Sequence, residues 1–202
     1  MRDPLGGPNS TRDRTMQSDL KDAVSSAIKT LPPDDRSDVY ALSFFIYDEE
    51  DDPRIPTLTL GYNTTAKWQS SVSEASSSAE AKWNYAFWLQ NTVLQFGHSH
   101  TPSFPLVREW IESLSLSYTD QEEDDDFERC LELGYRITSH FVEGAVAVAS
   151  DLHSTSILQD TFGRPVPILV HSLEYHDQIA NQNRRANPGG TADEFIAWVE
   201  SL

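Results

Sequence analysis

Apolar positions in this chain fall into short periodic runs, and the period changes from one run to the next. From Met16 to Leu31 they recur at three- and four-residue steps (Leu20, Ala23, Val24, Ala27, Ile28), the spacing of one helix face, and Pro32-Pro33 closes the run. Residues 1–15 are rich in Gly, Pro, Arg and Asp with almost nothing to bury, which predicts a disordered leader or tag ahead of a single domain at 16–202. Val39 to Tyr47 predicts a strand, with Tyr40, Leu42, Phe44 and Ile46 on one face and Val39, Ala41, Phe45 and Tyr47 on the other. Both faces are largely apolar, so this strand belongs in the middle of a sheet covered on both sides. Ile55 to Tyr62 alternates Leu58, Leu60 and Tyr62 with Thr57, Thr59 and Gly61, predicting a half-exposed strand antiparallel to the first.

Ser70 to Ala79 reads as a mobile Ser/Ala/Glu loop. Glu80 to Phe96 predicts one amphipathic helix with a stripe of Trp83, Phe87, Trp88, Leu89 and Leu94, closed by Gly97. Pro105 opens a shorter helix bearing Leu106, Trp110, Leu114 and Tyr118. The next helix has its expected stripe at Phe127, Leu131, Tyr135, Thr138, Val142, Ala145 and Val148, with Ile137 and Phe141 beside it. Val166 to His171 predicts a short buried strand despite Pro167, which removes one ladder donor. Two helical pieces follow, around Glu174 to Ala186 and Thr191 to Leu202, divided by Asn187-Pro188-Gly189-Gly190. The order α-β-β-α-α-α-β-α-α excludes regular βαβ alternation and predicts an α+β fold, several helices on a small, mainly antiparallel sheet. No internal repeat is present, and nothing in the pattern sets an oligomeric state.

Charge changes the picture. The chain of 202 residues has 32 acidic and 15 basic side chains and a net charge of −17. Most of the excess sits in two runs, Asp48-Glu49-Glu50-Asp51-Asp52 and the stretch Asp120 to Glu128 with Glu122, Glu123, Asp124, Asp125 and Asp126. A field of that sign repels nucleic-acid phosphates and anionic lipid and attracts a basic protein partner. Asp124, Asp125 and Asp126 also precede a helix start, where negative charge is favoured by about 0.3–1 kcal/mol each. No apolar stretch is long enough to span a membrane, and no signal-peptide core is present, which predicts a cytoplasmic protein.

Motifs for chemistry are sparse. Cys130 is the single cysteine, so an intramolecular disulfide and a Cys-rich zinc site are both excluded. His98-Ser99-His100 has a metal-like spacing but lacks further ligands at motif distance, so no metal site is expected. No phosphate-cradling Gly-rich loop or other cofactor motif is present, and no cofactor is expected. The cluster His171, Glu174, His176 and Asp177 lies where a strand runs into a helix, a position at which open sheets place binding sites. Ser172, Glu174 and Asp177 are equally suited to capping that helix.

Four segments carry a family resemblance: Val39-Tyr-Ala-Leu-Ser-Phe-Phe, Lys82-Trp-Asn-Tyr-Ala-Phe-Trp, Pro167 to Tyr175, and Asn187-Pro188. Over Met16 to Leu202 the chain resembles a bacterial family of uncharacterised cytosolic proteins, the domain-of-unknown-function family 4303. Such proteins are considered alongside the immunity proteins of bacterial toxin systems. The resemblance implies one small domain and transfers no catalytic residue. Two functional readings follow. The first is a non-enzymatic acidic protein-binding module, such as a toxin-immunity-like protein, using the carboxylates at 48–52 and 122–126. The alternative is a small hydrolase or ligand-binding enzyme with catalytic candidates His171, Glu174, His176 and Asp177.

Overall fold

The structure, a computed structural model, describes residues 11–202. The expected leader therefore lies outside the described residues over 1–10, while the first helix, α1 (Thr11–Ile28), is already formed at Thr11. Its face of Met16, Leu20, Val24 and Ile28 is buried, as the spacing predicts. After α2 (Pro33–Asp38) the chain enters β1 (Val39–Asp48) and returns through β2 (Pro56–Thr64). Short helices α3 (Thr65–Ser71) and α4 (Ser78–Trp83) lead to β3 (Leu94–Phe96). Then come α5 (Phe104–Ser113), α6 (Asp120–Asp125), the long α7 (Phe127–His153) and α8 (Ile157–Phe162). Strand β4 (Ile168–His171), α9 (Asp177–Ala186) and α10 (Asp193–Val199) complete the chain.

This is an α+β single-domain fold. The sheet order is β3-β2-β1-β4; β2 is antiparallel to both neighbours, whereas β4 runs parallel to β1. On one sheet face Leu42, Phe44, Ile46, Leu58 and Leu60 meet α1, α5, α7 and α8 in the larger core. On the other, Ala41 and Leu169 meet Trp83, Trp88, Ile179, Phe195 and Trp198 in an aromatic core. Burial on both faces makes β1 central, as expected. One detail of its faces differs. A register shift between Val39 and Ala41 sends Val39 to the larger core and Tyr40 to the aromatic one, because a bulge reverses alternation locally.

Three further expectations are corrected. Strand β2 is buried along nearly its whole length, because β3 and β1 flank it and both faces are covered. Residues 80–96 do not form one helix: α4 stops at Trp83 and a single 3₁₀ turn follows. A continued helix would need the Ala86 N–H to reach the Lys82 carbonyl. Instead that carbonyl accepts from the Tyr40 hydroxyl and Trp88 Nε1, and Asn84 Oδ1 takes the Ala86 N–H at 3.0 Å. The stripe on α7 also begins elsewhere. Phe127, Leu131 and Tyr135 are exposed, and the buried face is Cys130, Leu133, Gly134, Ile137, Phe141, Gly144, Ala145 and Val148. Small residues mark that face because the neighbours come too close for a side chain. A Cβ on Gly134 would lie 2.7 Å from Pro53 Cγ.

The free edge of β4 is closed by side chains. Asn183 Oδ1 accepts from Val170 N at 2.9 Å and its Nδ2 donates to Val170 O at 2.7 Å. One helical turn later, Asn187 Oδ1 accepts from Ile168 N at 2.8 Å and its Nδ2 donates to Ile168 O at 2.9 Å. Asn183 in α9 and Asn187, its C-cap four residues on, thereby stand in for a fifth strand, satisfying the groups that an unpaired edge leaves open.

Candidate functional site

Both acidic runs reach the same end of the molecule. Arg54 joins them: it forks onto Asp52 through Nε and Nη2, each at 2.8 Å, and its Nη1 donates to Asp120 at 2.6 Å. The same guanidinium lies 5.1 Å from the centre of the Tyr118 ring. Many of the candidate carboxylates are occupied within the chain. Asp48 accepts from the Thr138 hydroxyl at 3.1 Å, and Glu49 accepts from Ser99 N at 2.7 Å and Ser99 Oγ at 2.6 Å. Burial alone would raise Glu49 and Asp52, but Ser99 and Arg54 outweigh it and hold both below the usual carboxylate range. Asp48 goes the other way. Its burial pushes the carboxyl up, with Asp51 and Asp52 adding to the effect against the Thr138 bond.

In the second run Thr119 and Glu122 form a reciprocal cap on α6, Asp125 accepts from Gln121 at 3.2 Å, and Asp126 accepts from Arg129 N at 3.2 Å. Of the three carboxylates expected at a helix start, Asp126 caps α7, whereas Asp124 and Asp125 lie in the last turn of α6; Glu122 caps α6 itself. Among the described residues, the side chains of Glu50, Asp51, Glu123 and Asp124 have no hydrogen-bond or ion-pair partner. Beside them runs the exposed part of α7. Phe127, Leu131 and Tyr135, at i, i+4 and i+8, are 58, 39 and 70% exposed, with Glu128 and Glu132 beside them and Arg129 there too, its charge 3.7 Å from Glu122.

A second feature lies at the carboxyl ends of the parallel strands β1 and β4. A cavity of ≈ 290 Å³ opens there between α7 and α9, with Tyr47, Asp48, Thr138, His171, His176 and Gln182 in its lining. Thus Asp48, from the first acidic run, meets His171 and His176, two of the four catalytic candidates. Glu174 and Asp177 are exposed and stay outside that lining. Neither Glu174 nor Ser172 caps α9: His176 holds the cap position without a side-chain bond, and the Ser172 hydroxyl donates to the Glu174 carbonyl at 3.3 Å. Thr138, Tyr47 and Gln182 carried no motif; only the packing of three elements brings them here.

His171 is 2% exposed and ringed by Phe45, Tyr85, Trp88 and Tyr175. Its Nδ1 faces the Ser172 carbonyl at 3.0 Å, an acceptor only, so Nδ1 carries the proton and donates. Nε2 then accepts from the Ser43 hydroxyl at 2.8 Å. The pair resembles a nucleophile and its base, but burial pulls the imidazole down to about 4, and Ser43 is itself 1% exposed. A base that weak, with no carboxylate behind it, does not activate a hydroxyl at neutral pH.

His98 Nδ1 accepts from the His100 backbone N–H at 3.3 Å and its Nε2 lies 3.4 Å from Glu49. Among the described residues no group of three or more His, Cys, Asp or Glu is placed to hold a metal ion. Cys130 is fully buried, and that burial pushes its thiol up, away from nucleophilic character. No described helix is long and apolar enough to cross a membrane. No family model, curated protein or solved structure matches the chain.

Proposed function

We propose that the protein is a non-enzymatic cytosolic binding module whose acidic end engages a basic protein partner, in the manner of an immunity protein that neutralises a cationic toxin. The observation that carries this reading is the exposed stripe Phe127, Leu131 and Tyr135 bordered by unpaired carboxylates. Protein interfaces combine an apolar, aromatic-rich centre with a polar rim, and a rim of one charge accelerates encounter with its opposite. Glu123 and Asp124 on α6 and Glu128 and Glu132 on α7 supply that rim, with Glu50 and Asp51 at the same end of the molecule. The same proposal places the chain with domain-of-unknown-function family 4303, on the four segments that carry the resemblance.

The hydrolase form of the alternative draws no support from His171, whose imidazole is buried and weakly basic. The test of the binding reading uses the intact protein and a triple variant, Phe127→Ser, Leu131→Ser and Tyr135→Ser, as paired baits in lysate of the source cells. A basic protein retained by the first and lost with the second supports the reading, provided association slows as salt rises. Identical captured sets from both baits would remove it.

A further inference from the structure

Asp48 ends β1 with its carboxylate on the cavity between α7 and α9, and its one side-chain partner is the neutral Thr138 hydroxyl. Among the described residues no Lys, Arg or His lies within ion-pair distance of it, and the cavity lining contains no Lys or Arg. A partly desolvated carboxylate with one neutral hydrogen bond is an incomplete arrangement. The remaining wall also offers acceptors. Gln182 donates one amide N–H to Val170 O at 2.7 Å and its carbonyl oxygen is available as an acceptor, while the Tyr47 ring adds an aromatic surface. Neighbouring Asp51 and Asp52 add to the negative potential at Asp48. A cavity of ≈ 290 Å³ lies at the low end of small-molecule sites, which run about 300–1,000 Å³.

We propose that this cavity binds an organic cation, a guanidinium or a primary ammonium, with Asp48 as its counter-ion. The cation supplies the donors that Asp48 and Gln182 lack, and Tyr47 presents a ring to its positive charge. The same negative field disfavours an anion. Two sources share this chemistry, a free polyamine-like molecule and an Arg or Lys side chain. Thr138 and Val142 line the cavity and continue along α7 from Tyr135, so a side chain reaching it would follow the exposed stripe.

The test is titration of the isotopically labelled protein by amide chemical shift, with no macromolecular partner present. Three probes are used: agmatine, N-acetyl-arginine amide, and its neutral isostere N-acetyl-citrulline amide. The expected result is saturable shifts around residues 46–48, 138–142 and 171–182 with the cations and none with the citrulline compound. Stronger binding of agmatine points to a free amine, and stronger binding of the arginine amide to a side chain; either supports the cation site. Asp48→Asn, which keeps an acceptor for Thr138, should weaken the cations by roughly tenfold or more, the scale of one lost charge pair. Gln182→Met is the second variant, expected to weaken them less, and it decides the matter where Asp48→Asn loses the native spectrum. Absence of saturation by about 20 mM, or affinity unchanged in the folded variants, overturns the proposal. Because no partner enters this experiment, its failure leaves the α7 docking surface to its own test.

Discussion

The acidic end and the free edge of β4 use polar side chains in opposite ways. At the acidic end carboxylates are many and crowded in sequence, yet Glu50, Asp51, Glu123 and Asp124 bond to nothing among the described residues. At the β4 edge two amides, Asn183 and Asn187, are buried and engage both backbone groups of Val170 and Ile168. Exposed charges are solvated whether or not the chain is folded, so folding gains little from them. A buried backbone group left without a partner loses its full solvation. Polar residues that dominate the composition therefore carry little of the stability, and two inconspicuous ones carry much.

Replacing the amides should break this contrast most severely. Asn187→Ala leaves Ile168 N without a partner and removes the amide's bond to Ile168 O; Asn183→Ala does the same to Val170 N, while Gln182 still serves Val170 O. Each should lower stability by roughly 2–4 kcal/mol, Asn187→Ala the more, read from urea midpoints at constant m. A shift under about 0.5 kcal/mol would mean that water replaces the amides and that the edge is not sealed. Arg54→Ala comes next. It removes the fork on Asp52, the link to Asp120 and the stacking on Tyr118, at a cost of about 1–2 kcal/mol, reduced by its partial exposure.

Asp48 sharpens the comparison within the acidic run itself. Its folded pKa is raised, so the charged form opposes folding; the penalty is full above that pKa, shrinks as pH falls through it, and is gone below the ordinary aspartate value of about 3.9. Asp48→Asn should then be more stable than the parent at pH 7 and equal to it at pH 3, by thermal unfolding across pH. Glu49 and Asp52 have the opposite sign: lowered in the fold, they contribute stability above about pH 4 that is lost as pH falls through their folded values. A stability difference between Asp48→Asn and the parent that is the same at pH 7 and pH 3 would deny Asp48 its opposite sign. The smallest effect belongs to Glu50, whose φ of 55° is left-handed. Glu50→Gly should raise stability by roughly 0.5 kcal/mol, where the same change at a carboxylate in use would lower it.

The residues of the acidic runs were plain to see, but their partition into bonded and free members was not. Ser99 and Thr138, which occupy Glu49 and Asp48, lie dozens of residues away, and Arg54, though only two residues from Asp52, shows its link to Asp120 only in the fold. The cavity was half legible. His171 and His176 stood out as a strand-to-helix cluster, whereas Asp48 was grouped with the acidic run 48–52 and Gln182 carried no motif. On α7 the largest apolar side chains suggested a buried face that the helix turns to solvent, since Gly134 and Gly144 mark where neighbours actually touch.

The sequence by itself determined what local periodicity controls: a helix through Leu20 and Ile28, a doubly covered strand at Val39 to Tyr47, and a long helix after the second acidic run. Side-chain pattern and backbone preference act over one or two turns, and there the chain is its own environment. Tertiary structure decided the rest. Whether residues 80–96 continued as a helix depended on Tyr40 and Trp88 competing for one carbonyl. Which face of α7 was buried depended on Pro53 and Met16 arriving against its glycines. Whether β4 had an open edge depended on two asparagines one turn apart on another element. In each case a hydrogen bond or a contact distance was settled between segments far apart in the chain, and no local propensity encodes that choice.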